Sequence, residues 1–166
     1  MLRLLLVRRR SRGRVHAGAG VRLGRGVRVD VGPGATLTLG DGVTIGAGTR
    51  FDIGGCAAVH LRPGTTLGRR CVVSARERIT VGERCRLGDE VVLMDFGHDA
   101  ADPERPVREQ GLVTAPVAIG DDAVLDDTVV VLHGTTIGPG AHVTTRSVVT
   151  RDVEPGATAG GVPARR

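Results

Sequence analysis

Five histidines, three cysteines and 18 carboxylates are the side chains of this 166-residue chain that could move protons, hold metals or form covalent bonds. An imidazole titrates near neutrality and suits proton transfer at working pH. Only His98 lies in a long polar stretch, MDFGHDAADPERPVREQGLVTAP at 94–116, between Asp95 and Asp99. His16, His60, His133 and His142 read as structural or surface positions. Cys56, Cys71 and Cys85 form an odd set without CxxC spacing, so neither a disulfide frame nor a zinc site is indicated. They read as buried, inert thiols of a reducing compartment.

The elements that must position His98 are written in a six-residue repeat. Ile119, Leu125, Val131, Ile137, Val143 and Val149 recur at every sixth place, and Val117, Ala123, Val129, Thr135, Ala141 and Ser147 stand two residues before each. The same two-slot pattern runs upstream with phase slips, through Leu39 and Ile45, Leu61, Leu67 and Val73, and Val81, Leu87 and Leu93. Six is not a helical period. It fits a short strand and a turn, with alternate side chains inward and Gly or Asp at the corners. Three strands closing a triangle make a coil of about 18 residues, stacked about 4.8 Å apart as parallel strands. The expected fold is all-β: a single-stranded parallel β-helix over 21–153, one extruded loop over 94–116, and a short tail over 154–166. Such a prism is narrow, which accounts for a chain with two Phe and no Trp or Tyr. Long loops leaving a regular solenoid are commonly functional.

Charge is uneven. All 23 basic residues are Arg, and nine lie in residues 1–28, which hold no acid. The remainder carries a small net negative charge, and no aromatics interleave with the arginines, which excludes a nucleic-acid-binding surface. The basic segment 1–20 lacks the pattern of a secretory signal and is too short to span a bilayer. It is expected to cover the open end of the core, with contact to an anionic membrane surface through residues 1–14 as the alternative.

The repeat together with His98-Asp99, Asp102-Pro103, Pro106-Val107, Gln110-Gly111, Ser147 to Val153 and Gly160 to Arg165 resembles the hexapeptide-repeat acyltransferases, in particular the maltose/galactoside and polysaccharide O-acetyltransferases. The resemblance implies left-handed winding of that β-helix, a homotrimer, acetyl-CoA as co-substrate in the groove between subunits, and direct acyl transfer to a hydroxyl of a sugar or glycan acceptor; the lack of an export signal and the need for acyl-CoA point to the cytoplasm. The resemblance also implies His98 as general base and places Ser74 roughly where the sugar acetyltransferases have an acceptor-contacting Asn. Asp95 and Asp99, which flank His98, are read as acceptor-side residues that contact sugar hydroxyls or, alternatively, hold the imidazole tautomer. Asp127, Thr145, Thr150, Arg151 and Arg165 match its CoA contacts, and the two guanidinium groups suit phosphate. A metal is not expected. His98 and His133 have a spacing used by metal-binding relatives of the fold, but Gly138 stands where the third ligand belongs and His142 does not fit. The chain departs from the family pattern at Val124-Leu125-Asp126, His133-Gly134 and Thr144-Thr145-Arg146-Ser147. A catalytically weakened trimeric scaffold and N-acylation of an amino sugar are the alternatives.

Overall fold

The structure, a computed structural model, describes residues 14–99, 102–106 and 109–165. The expected membrane contact of residues 1–14 falls almost wholly outside them, as does Val107 of the loop motif.

Alternation of inward and outward side chains bends the chain into six three-strand coils. The first holds β1 (Val15–Ala17), β2 (Arg22–Leu23) and β3 (Arg28–Val31). The second holds β4 (Thr36–Leu39), β5 (Thr44–Ile45) and β6 (Arg50–Ile53). The third holds β7 (Ala58–Leu61), β8 (Thr66–Leu67) and β9 (Val72–Ala75). The fourth holds β10 (Arg78–Val81), β11 (Arg86–Leu87) and β12 (Val92–Met94). An insertion then carries β13 (Phe96–His98) and β14 (Leu112–Thr114). The fifth coil is β15 (Val117–Ile119), β16 (Val124–Leu125) and β17 (Val130–Val131). The sixth is β18 (Thr136–Ile137), β19 (His142–Val143) and β20 (Val148–Val149). Val153 bridges to Ile137, and β21 (Thr158–Ala159) continues the winding. Every coil-to-coil pairing is parallel, giving three faces of a left-handed β-helix. Among the described residues the strands of the winding extend from Val15 to Ala159, where the repeat pattern spans 21–153.

The phase slips have a simple cause. Partners lie 18 residues apart in the last full coil, as expected, but 22 and then 20 apart in the earlier ones. Apart from β1, the first and third faces of those earlier coils use four-residue strands, and lengthening a strand by two residues keeps every side chain on its own side. A longer coil is also wider. Phe51, in a 22-residue coil, is fully buried and is the largest side chain of the core, which corrects the expectation of an aliphatic-only prism.

The corners are held by carboxylates reaching across coils. Asp41, Asp89, Asp121 and Asp127 each accept the backbone N–H of a corner residue in the preceding coil, at 2.7–2.8 Å. Glycine precedes that N–H because a Cβ at Gly68 or Gly88 would collide with the incoming carboxylate. Small buried slots bond likewise: the Thr65 hydroxyl donates to the Gly82 carbonyl and the Cys85 thiol to that of Gly120. Cys71 and Cys85 are buried as expected, and burial raises both thiols above their ordinary pKa. Cys56 is exposed at a corner, contrary to the expectation for all three.

Candidate active site

His98 rides on a regular antiparallel ribbon, not on an irregular loop. β13 and β14 pair Phe96 with Thr114, Gly97 with Val113 and His98 with Leu112, and the Asp99 N–H donates to the Gly111 carbonyl. Beyond the ribbon the tip is tied by Gln110. Its amide donates to the carbonyls of Asp102 and Arg105, and its oxygen accepts the Asp102 N–H. The His98 ring is exposed, with no side-chain hydrogen bond among the described residues.

The root of the ribbon is anchored by Asp95. In the coils below, the residue after the last inward position of the third face donates to the carbonyl of the next coil: Gly32 N–H to Ile53 and Gly54 N–H to Ala75. Arg76 should bond the Asp95 carbonyl in the same way. That carbonyl instead accepts the Ala115 N–H, closing the neck of the insertion. The Asp95 carboxylate substitutes for it, taking the Arg76 N–H at 2.7 Å and the Glu77 N–H at 2.9 Å. The side chain is fully buried, with both oxygens engaged. Asp95 thus has a structural use at this corner.

Side chains on the outside of the third face lead away from this root. One column reads Arg28, Arg50, Val72, Val92, Val130, Val148, and a second reads Asp30, Asp52, Ser74, Met94. Its lower coils are charged and its upper coils are apolar. The first face presents His16, Thr38, His60, Thr80, Ala118 and Thr136 instead, and the second presents mainly Thr, Arg and His. The four outward valines are half-buried. Ser74 is buried, its hydroxyl 3.3 Å from an Asp52 oxygen.

The expected CoA residues rim the upper end of this third face. Thr150 and Arg151 follow β20 at the corner from which the ribbon leaves, one coil above His133. Both are exposed, without side-chain partners among the described residues. Asp127 and Thr145 occupy the opposite corner. The Asp127 carboxylate accepts the Asp89 N–H, and the Thr145 hydroxyl donates to the Asp127 carbonyl, so their polar groups already have partners. Both line an open depression of about 350 Å³ on the second face, with Arg86, Leu87 and Asp126. Asp126 also pairs with His142, at 3.0 Å. The tail folds back along the free edge of β20, where the Val148 N–H donates to the Gly161 carbonyl and the Ala164 N–H to the Val148 carbonyl, and Arg165 bridges to Gly160 beside Thr144. Within one chain, the two groups of CoA candidates are separated by the width of the face. Among the described residues no group of His, Cys, Asp and Glu is arranged to hold a metal.

Three residues packed against the foot of the ribbon, Arg76, Asp52 and His133, were not identified by the repeat. Arg76 and Asp52 form an ion pair at 3.1 Å, and the Arg76 guanidinium lies 4.8 Å from the centre of the Phe96 ring. The His133 imidazole rests against Gly97, where a Cβ would stand 3.0 Å from Nε2. The only sequence signal was a shortened step, four residues from Ala75 to Ile79 where six is usual.

No family model matches the chain. A probable acetyltransferase of Mycobacterium tuberculosis is 34% identical over 98 residues, 59% of this chain and 33% of that protein. The galactoside O-acetyltransferase of Escherichia coli is 31% identical over 88 residues, 52% of this chain and 42% of that protein. A hexapeptide-repeat acetyltransferase of Vibrio cholerae, solved with acetyl-CoA, superposes with a TM-score of 0.68 at 26% identity, covering 80% of this chain and 68% of that one. In sequence and in fold the chain is similar to hexapeptide-repeat acetyltransferases. It spans between a third and a half of the length of these two curated relatives. Within the hexapeptide-repeat frame, His98 is the histidine carried out of the coils on a braced ribbon.

Proposed function

We propose that the protein transfers an acetyl group from acetyl-CoA directly to a hydroxyl of a sugar or glycan, with His98 as general base. The observation that carries this reading is the exposed His98 imidazole, held on a ribbon whose root is locked by Asp95 beside the apolar half of the third face. An alcohol is a poor nucleophile at neutral pH. As its oxygen bonds to the thioester carbon, the imidazole takes the hydroxyl proton. The tetrahedral oxyanion then collapses, the C–S bond breaks, and the imidazolium returns a proton to the CoA sulfur. Backbone N–H groups at a coil corner are the oxyanion donors available here.

Thr150, Arg151 and Arg165 are the CoA-binding residues in this reading, since their side chains are exposed and have no partners among the described residues. Asp127 and Thr145 would contribute backbone and shape. Ser74 and Asp99 remain acceptor-side candidates, whereas Asp95, enclosed and doubly bonded, is assigned to holding the ribbon. The working unit is a homotrimer. Its support is the stacked Val72, Val92, Val130 and Val148, an outward apolar strip of the kind that marks an interaction surface. A requirement for acyl-CoA makes the cytoplasm the setting for this reaction.

Thermal unfolding with and without acetyl-CoA tests the reading first. A ligand at about 100 times its Kd stabilises the folded state by about 2.7 kcal/mol, a rise of several degrees in Tm. A screen of sugars for CoA thiol release then finds the acceptor. Absence of any Tm shift at millimolar acetyl-CoA would favour a scaffold role instead.

A further inference from the structure

The Arg76 side chain is fixed from four directions. Its Nη2 donates to Asp52 Oδ2 at 3.1 Å, and its Nη1 donates to the Ala75 carbonyl at 2.9 Å and the Asp52 carbonyl at 3.3 Å. It lies against Gly54, where a Cβ would stand 3.2 Å from Cδ, Nε and Cζ and would push the side chain back by a few tenths of an ångström. Phe96 rests over the guanidinium with its centroid at 4.8 Å. Arginine meets these demands together because its fork is planar, bonds at several points and stacks on rings, whereas lysine offers a point charge.

Phe96 stands two residues before His98 on β13, so both side chains leave the same side of that strand. The backbone N–H of Arg76 is also a donor to Asp95, at the root of the same insertion. One residue therefore grips the insertion twice, by its amide at residue 95 and by its guanidinium at residue 96. We propose that Arg76 is a positioning residue: through Phe96 it sets the pitch of the β13–β14 ribbon, and with it the stance of the His98 imidazole beside the third face. The catalytic meaning of this brace rests on His98 being the base, but the brace itself does not.

With side chains about 30% exposed, the Arg76–Asp52 pair adds little to global stability, so its loss is readable locally. The experiment uses the full chain, with Arg76→Leu, Arg76→Lys, Phe96→Leu and the Arg76→Leu/Phe96→Leu double variant. Backbone hydrogen exchange of β13 and β14 is followed alongside the His98 ring resonances. The expected result for Arg76→Leu is about tenfold faster exchange in the ribbon, with the coils unchanged, and altered His98 resonances. Lysine restores part of the protection, and the double variant is no looser than either single one, because both remove one contact. Unchanged ribbon exchange with unchanged His98 resonances would overturn the proposal, as would equal loss of protection across all coils. Failure of the base assignment would show separately, as full activity of His98→Ala with ribbon exchange undisturbed.

Discussion

Replacing Asp95 by alanine should be among the most destabilising single changes in this chain. Its carboxylate is wholly inside the prism and takes two backbone N–H groups at 2.7 and 2.9 Å. A hydrogen bond to a charged group contributes about 1.5–3 kcal/mol, and a buried N–H left without a partner costs about 1–3 kcal/mol. These describe overlapping losses, so the expected penalty for Asp95→Ala is about 3–5 kcal/mol, a large fraction of a typical 5–15 kcal/mol stability. Asp95→Asn keeps one acceptor but turns an N–H₂ toward the second donor, and should cost about 2–3 kcal/mol. Urea unfolding measures both, and hydrogen exchange should show the Ala115 amide at the insertion neck losing protection first. A loss below about 1 kcal/mol in Asp95→Ala would refute the structural assignment. Combined with a raised acceptor KM, it would return Asp95 to the substrate.

Thr128 is a β-branched residue at φ 59°, in the left-handed region. Thr128→Asn should raise stability by about 0.5–1 kcal/mol, since Asn tolerates that conformation, and a lower Tm would show the corner is not strained. A thiol reagent at pH 8 should react at once with Cys56 alone and with all three cysteines after unfolding; rapid native labelling of three would contradict the packing. Burial raises the Cys71 and Cys85 pKa above the ordinary 9.0, so the folded state favours the neutral thiols. Their contribution is complete below that value and is lost as pH rises beyond it, so Tm should decline at the alkaline end and decline less in Cys85→Ala. Val130→Arg puts a charge in the outward apolar column and should convert a trimer to a monomer by light scattering; a retained trimer would move the subunit contact to another face.

The solenoid was legible because narrow coils impose a six-step rhythm that no helix shares. The corner role of Gly and Asp was legible too, though not that Asp127 serves the coil beneath it. The 22-residue coils were visible only as slips, since adding two residues to a strand leaves the alternation intact. The ribbon was harder to see. Phe96-Gly97-His98 and Leu112-Val113-Thr114 are too short to announce a hairpin across an intervening polar tip. Asp95 was read as an acceptor-side residue because it flanks His98 in sequence, but position along a strand decides which way a side chain points, and residue 95 points inward. Arg76 contacts Phe96 only after a full coil has closed, which no local pattern encodes.

In the proposed reaction His98 takes the acceptor proton. The decisive measurement is acetyl transfer by His98→Ala, with acetyl-CoA affinity determined calorimetrically on the same preparation. Removal of a general base predicts a fall in kcat of about 100-fold or more with acetyl-CoA affinity unchanged. Turnover equal to that of the unaltered protein would contradict the claim.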